Sequence, residues 1–137
     1  MDTAAVHKHL LGERREWVRA ALDCADAVAS GWNGDRTADR ATVVPVYRET
    51  LDRSGALADA PAVLRECVRA AGERLSADPV AAPPYVVVTS EGVLLRATLD
   101  DRLLVRVRAF RLSTDARGPV YERVNETPET AVAVTLG

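Results

Sequence analysis

The stretch from Pro84 to Leu112, PYVVVTSEGVLLRATLDDRLLVRVRAFRL, decides the fold. It holds three runs rich in β-branched and apolar residues, Tyr85 to Thr89, Val93 to Leu99 and Leu103 to Leu112, interrupted only by Ser-Glu-Gly and Asp-Asp-Arg. Runs of this kind joined by short turns predict a three-strand antiparallel meander.

A one-residue slip in a hairpin turns every side chain to the wrong face, so the pattern constrains register. Pairing Val88 with Val93, and Leu99 with Leu103 around Asp100-Asp101-Arg102, gathers Val86, Val88, Val93, Leu95, Ala97, Val105 and Val107 on one apolar face. A two-residue Asp100-Asp101 loop would mix Arg102, Arg106 and Arg108 into that face. The three-residue loop then asks Arg102 for a left-handed conformation. The opposite face carries Tyr85, Leu94, Arg96, Leu104, Arg106, Arg108 and Phe110, with Arg96 directly across from Arg106. Like charges so placed repel unless an anion or a carboxylate lies between them. In the plainest reading a further strand, a helix or the chain's own carboxylates, Glu122 among them, cover this face, because arginine stems pack readily over apolar surface. These seven residues are otherwise the candidate ligand or interface set.

Upstream, the pattern is helical. Leu11, Val18, Leu22, Ala25 and Ala29 recur at helical spacing, predicting one helix from Thr3, as N-cap, to Ser30. Arg15, Arg19, Asp23 and Asp26 fall on its solvated side. A short helix is expected over Pro45 to Ser54, stopped by Gly55. A third is expected over Ala60 to Ala77, with Asp59 as N-cap and a stripe of Leu64, Cys67, Val68, Ala71 and Leu75. Gly31 to Ala41 reads as a mobile loop from which Trp32 folds back onto the core. Downstream, Pro119 to Val124 and Thr130 to Leu136 read as two more strands, the first of undetermined facing.

Helices first and strands afterwards imply an α+β fold: about three N-terminal helices packed on one face of a C-terminal antiparallel meander sheet of four to five strands. The 137 residues form one domain, a helical half over 1–79 and a strand half over 84–137, large enough to bury a core without disulfides or metals. The net charge of −2 gives no general attraction to nucleic acid or membranes, so any such function needs a local patch. Cys24 and Cys67 lie within helical patterns and read as free buried thiols. No stretch is long and apolar enough for a membrane span, and the N-terminus lacks the charge and apolar pattern of a secretion signal, which predicts a cytoplasmic protein.

The search for chemistry nominates no catalytic residue, no metal ligand set and no cofactor. His7 and His9 are two apart at a helix start and cannot share a face; His9 with Glu13 makes only a two-ligand drawing, short of a metal's first shell. No serine sits in a nucleophile elbow, and neither a phosphate-binding glycine loop nor a dinucleotide fingerprint is present. Asn33, Asp35 and Asp39 lack the ligand alternation of a calcium loop.

The run from Ala82 to Leu112, with RGPVYERV from Arg117 to Val124, resembles the strand-rich half of small uncharacterised haloarchaeal proteins. The resemblance implies a cytoplasmic protein working in high salt and implies no activity. Three function classes follow from the residues. The first is a non-catalytic interaction module, a homodimer or a binder of a protein partner, that buries Tyr85, Leu94, Leu104 and Phe110. The second is a nucleic-acid or polyanion binder through the same arginines, not favoured by the near-neutral charge. The third is a binder or sensor of a small anionic ligand clamped by Arg96 and Arg106.

Overall fold

The N-terminal half does not form one long helix. In the computed structural model, which describes residues 1–137, Thr3–Leu11 (α1) and Arg15–Ala29 (α2) are separate helices. Asp2, not Thr3, caps α1, its carboxylate accepting from the Ala5 N–H at 3.0 Å. The break begins at Gly12, a poor helix former, and the Arg14 N–H reaches back to the His9 carbonyl at 3.1 Å. The apolar repeat runs across the break because both helices bury into the same core.

Val44–Ser54 (α3) ends at Gly55, whose φ of 85° gives the left-handed stop expected of it. Ala56–Ala70 (α4) begins at the next residue and runs through Pro61, so Asp59 is not its cap. Proline inside a helix removes a hydrogen bond. Burial of Ala56, Leu57 and Ala60 overrides that cost, as does the 3.0 Å bond from the Trp17 indole N–H to the Ala56 carbonyl.

The strands divide between two antiparallel sheets. Val86–Val88 (β2), Gly92–Thr98 (β3), Arg102–Arg108 (β4) and Val132–Leu136 (β7) form one, in the order β2-β3-β4-β7. Arg36–Thr37 (β1), Phe110–Asp115 (β5) and Gly118–Arg123 (β6) form the other, in the order β1-β6-β5. Pro128–Ala131 (α5) is one turn leading into β7. The α+β class with helices first is as expected, but the single meander sheet is not, since Leu103 to Leu112 breaks at Ala109. There the N–H groups of Ala109 and Phe110 both donate to the Glu91 carbonyl, at 2.8 and 3.1 Å. Two residues opposite one is a β-bulge, and it turns two consecutive side chains to the same side.

Register follows the sequence reading in the first hairpin and departs from it in the second. Val88 pairs with Val93. The second hairpin closes at Thr98 and Arg102 around Leu99-Asp100-Asp101, two residues away from the expected pairing. No residue other than glycine has a positive φ, so Arg102 is not left-handed. A two-residue shift preserves which face each side chain occupies and changes only its neighbours.

The inner face therefore buries Val86, Val88, Leu95, Leu103, Val105 and Val107. All four long helices pack on this side, α3 against β2, α4 against β3, α2 against β4 and α1 along β7. Gly31 to Ala41 is not a plain loop: β1 pairs with β6, and Trp32 does fold onto the core, with its indole N–H 3.3 Å from the Thr42 carbonyl.

Candidate functional site

The helices leave the outer face of the four-stranded sheet uncovered. Its cross-strand rows can be read from the register. One row runs from Arg96 on β3 to Leu104 on β4 and Thr135 on β7. The next runs from Val87 on β2 through Leu94 and Arg106 to Ala133. Gly92 stands beside Arg108, and Thr98 beside Arg102. Arg96 and Arg106 are therefore diagonal neighbours, each facing a leucine, and the expected head-on pair is not formed.

Four arginines, Arg96, Arg102, Arg106 and Arg108, stand on this face, and none of its paired positions carries an Asp or Glu. Each of three holds a neutral acceptor. The Arg96 Nε donates to the Pro84 carbonyl at 3.3 Å, Arg106 to the Thr135 hydroxyl at 3.1 Å, and Arg108 to the Thr130 carbonyl at 2.6 Å. Such bonds orient a guanidinium and leave its charge and its remaining N–H groups available.

The other sheet shows what compensation looks like in this chain. Glu122 on β6 pairs with Arg36 on β1 and Arg111 on β5, at 3.0 and 2.5 Å, in a single cross-strand row. Glu122 is thus committed to that sheet and does not neutralise the outer-face arginines.

Of the candidate set, Leu94, Arg96, Leu104 and Arg106 lie half-buried on the outer face, and Arg108 is exposed there. Tyr85, half-buried just before β2, shares a small concavity with Arg96. Phe110 does not join them. The bulge carries it into the core at 3% exposure, where its ring lies 5.1 Å from Tyr47 and 5.8 Å from Trp32. Arg102, which sequence reasoning placed in the turn, belongs to the face instead; a loop drawn one residue earlier on each side would have found it.

The main concavity on the face, about 250 Å³, lies at the β2–β3 turn. Arg106 and Arg108 line it together with Leu94, Ser90 and Glu91. The arrangement suits binding of a phosphate or carboxylate group by charge-assisted hydrogen bonds beside an apolar side chain. Glu91 is the one carboxylate lining this concavity, and it forms no ion pair with either arginine.

A second polar cluster, of which the sequence shows only the His9 and Glu13 pair, joins α1 to α4. Arg14 in the helix break holds Glu66 with two bonds, at 2.8 and 2.5 Å, and reaches Asp59 at 3.3 Å. His9 places Nε2 2.7 Å from Glu66 and Nδ1 3.3 Å from Glu13. The Arg14 bonds, with His9 adding to them, hold the Glu66 carboxyl down at about 2 against the opposing effect of burial. The cluster clamps two helices together, and Asp59 and Glu66 are too far from His9 and Arg14 in sequence for spacing to reveal the contact. Cys24 and Cys67 are free and buried, and burial pushes the Cys67 thiol up to about 12.

The chain thus defines a class by its form: a small α+β domain with its helices on one face of an antiparallel sheet and arginines on the bare face. It belongs to the family described as Domain of unknown function (DUF7988), whose model matches residues 4–137. No curated protein and no solved structure matches it. No helix is long and apolar enough to cross a membrane.

Proposed function

We propose that this protein is a non-catalytic binding module that takes an anionic partner on the outer face of its four-stranded sheet. One observation carries the reading: four arginines and no carboxylate occupy the paired strand positions of that face, in a chain with 20 acidic and 18 basic residues. A local excess of this kind on a near-neutral protein costs self-repulsion, which a bound phosphate or carboxylate relieves. Arg106 and Arg108 are the principal ligands, with Arg96 and Arg102 beside them. Short charge-assisted contacts in the concavity supply the affinity.

Self-association through the same face is the second reading, favoured by the half-buried Leu94 and Leu104 side chains that stand on it. It has lost Phe110 as an anchor, and stacking two copies would set arginines against arginines. Light scattering on the eluting protein separates the two: a dimer that Leu104→Asp converts to monomer supports self-association.

The direct test is a thermal-shift titration with inorganic tripolyphosphate. Binding to the folded state raises Tm with concentration. The rise is expected in the native chain and lost in Arg106→Gln/Arg108→Gln, each rise being read against that protein's own unliganded Tm. No rise, or an equal rise in the variant, would overturn the assignment.

A further inference from the structure

We propose that the anionic partner is a single-stranded nucleic acid, lying along an arginine track that begins beside the sheet, at the end of α4, and finishes at the β5–β6 arm. The inference rests on the anion-binding reading above. Four concavities are linked through shared or neighbouring lining residues. The first, about 210 Å³, is lined by Arg69 and Arg74 and meets the second at Leu75. The second, about 140 Å³, holds Tyr85 and Arg96. Arg96 is one same-face step along β3 from Leu94, in the third concavity with Arg106 and Arg108. Glu91 and Arg108 are shared with the fourth, about 370 Å³, which Arg111 and Glu126 also line.

Along this path Arg111 is committed to Glu122, and Arg65, beside Arg69, reaches Asp78 at 3.5 Å. Arg69, Arg74, Arg96, Arg106 and Arg108 have no carboxylate within ion-pair distance. A compact anion satisfies two guanidiniums at one point. Five unpaired ones spread along a path call for phosphates repeated along a chain.

The placement also selects among chain-like anions. An extended acidic peptide gains affinity by adding a strand to a free sheet edge. Here Arg96, Arg106 and Arg108 stand on β3 and β4, the two central strands, whose edges are already paired. A ligand on this face meets side chains only. Single strands bind sheet surfaces in that manner, with arginines on phosphates and base or sugar faces against apolar and aromatic side chains. Leu94, Leu104 and Tyr85 supply those contacts between the arginines.

The test is fluorescence anisotropy with labelled oligodeoxyuridylate of about 4 and about 12 nucleotides, lengths that bracket a small site. The longer strand should bind more tightly, with a log–log salt slope of roughly −3, as expected when most of five arginines each release counterions. Arg69→Gln/Arg74→Gln should weaken the longer strand about tenfold and leave the tripolyphosphate shift intact. Arg40→Gln/Arg48→Gln, which removes the same charge away from the track, should change neither. Equal affinity for both lengths, unmoved by Arg69→Gln/Arg74→Gln, would overturn the track while leaving anion binding standing. Absence of any tripolyphosphate response would remove both. Polyglutamate displacing the longer strand at matched charge would reassign the face to acidic polypeptides.

Discussion

Phe110 stands edge-on to Tyr47, ring centroids 5.1 Å apart and planes at 89°, so the aromatic ring that the strand pattern turns outward is a centre of the core. Trp32 packs on the same ring, its centroid 5.8 Å away and its plane tilted by 37°. Phe110→Ala should therefore cost about 3–5 kcal/mol, the usual range for truncating a buried aromatic. Urea unfolding measures this directly. A loss below about 1 kcal/mol would mean that the ring is not core, since exposed substitutions stay within that range.

The same residue marks where the sequence stops being legible. Parity along Val93 to Ala109 was readable because apolar and polar residues alternate without interruption, and a two-residue error in the hairpin leaves parity intact. Ala109-Phe110 reads as a continuation of that alternation. Only the shared Glu91 carbonyl, a contact across strands, reveals the bulge. The helix stripes were legible for a similar reason, whereas the passage through Pro61 was set by tertiary contacts. The arginine face was legible in Arg96, Arg106 and Arg108. Its lack of a carboxylate was not, because Glu122's partners come from β1 and β5.

Gly92 opens β3 with φ of 148°, and a Cβ built there would overlap the Val107 carbonyl of β4. That backbone region is nearly exclusive to glycine, and the overlap is with backbone, which cannot swing aside. Gly92→Ala should destabilise by at least about 2 kcal/mol, combining backbone strain with the displaced strand. It should also distort the concavity beneath Arg106 and Arg108. Thermal unfolding checks the first, and the tripolyphosphate shift checks the second.

Both thiols should be silent in the folded protein. Cys67 has no exposed surface and a raised pKa, and Cys24 is 6% exposed, with its Sγ 3.4 Å from the Ser54 hydroxyl. A thiol reagent reacts with the thiolate, which burial disfavours. Titration should find almost no reactive thiol in buffer and both after denaturation. Rapid labelling of one thiol in buffer would mean that α2 or α4 opens readily.

Acid should loosen the junction of α1 and α4 through Glu66. The sign follows from the direction of the shift: its folded pKa of about 2 lies below the unfolded carboxylate value, so the folded state holds the charged form. The stabilisation is fully present above about pH 5, begins to fall as the unfolded chain's Glu66 takes up a proton, and is gone once pH passes below the folded value. Glu66 and Arg14 remain partly open to solvent, at 30% and 24% exposure, which limits the contribution to about 1 kcal/mol. Glu66→Gln should thus lower stability by about that amount at neutral pH and by almost nothing near the folded pKa. Denaturant midpoints across the acid range test this, and a constant difference at every pH would assign the loss to packing instead of charge. Arg14→Gln should reproduce the same narrowing, because its bonds are the chief cause of the shift, whereas Glu13→Gln, at 83% exposure, should leave the acid limb unchanged.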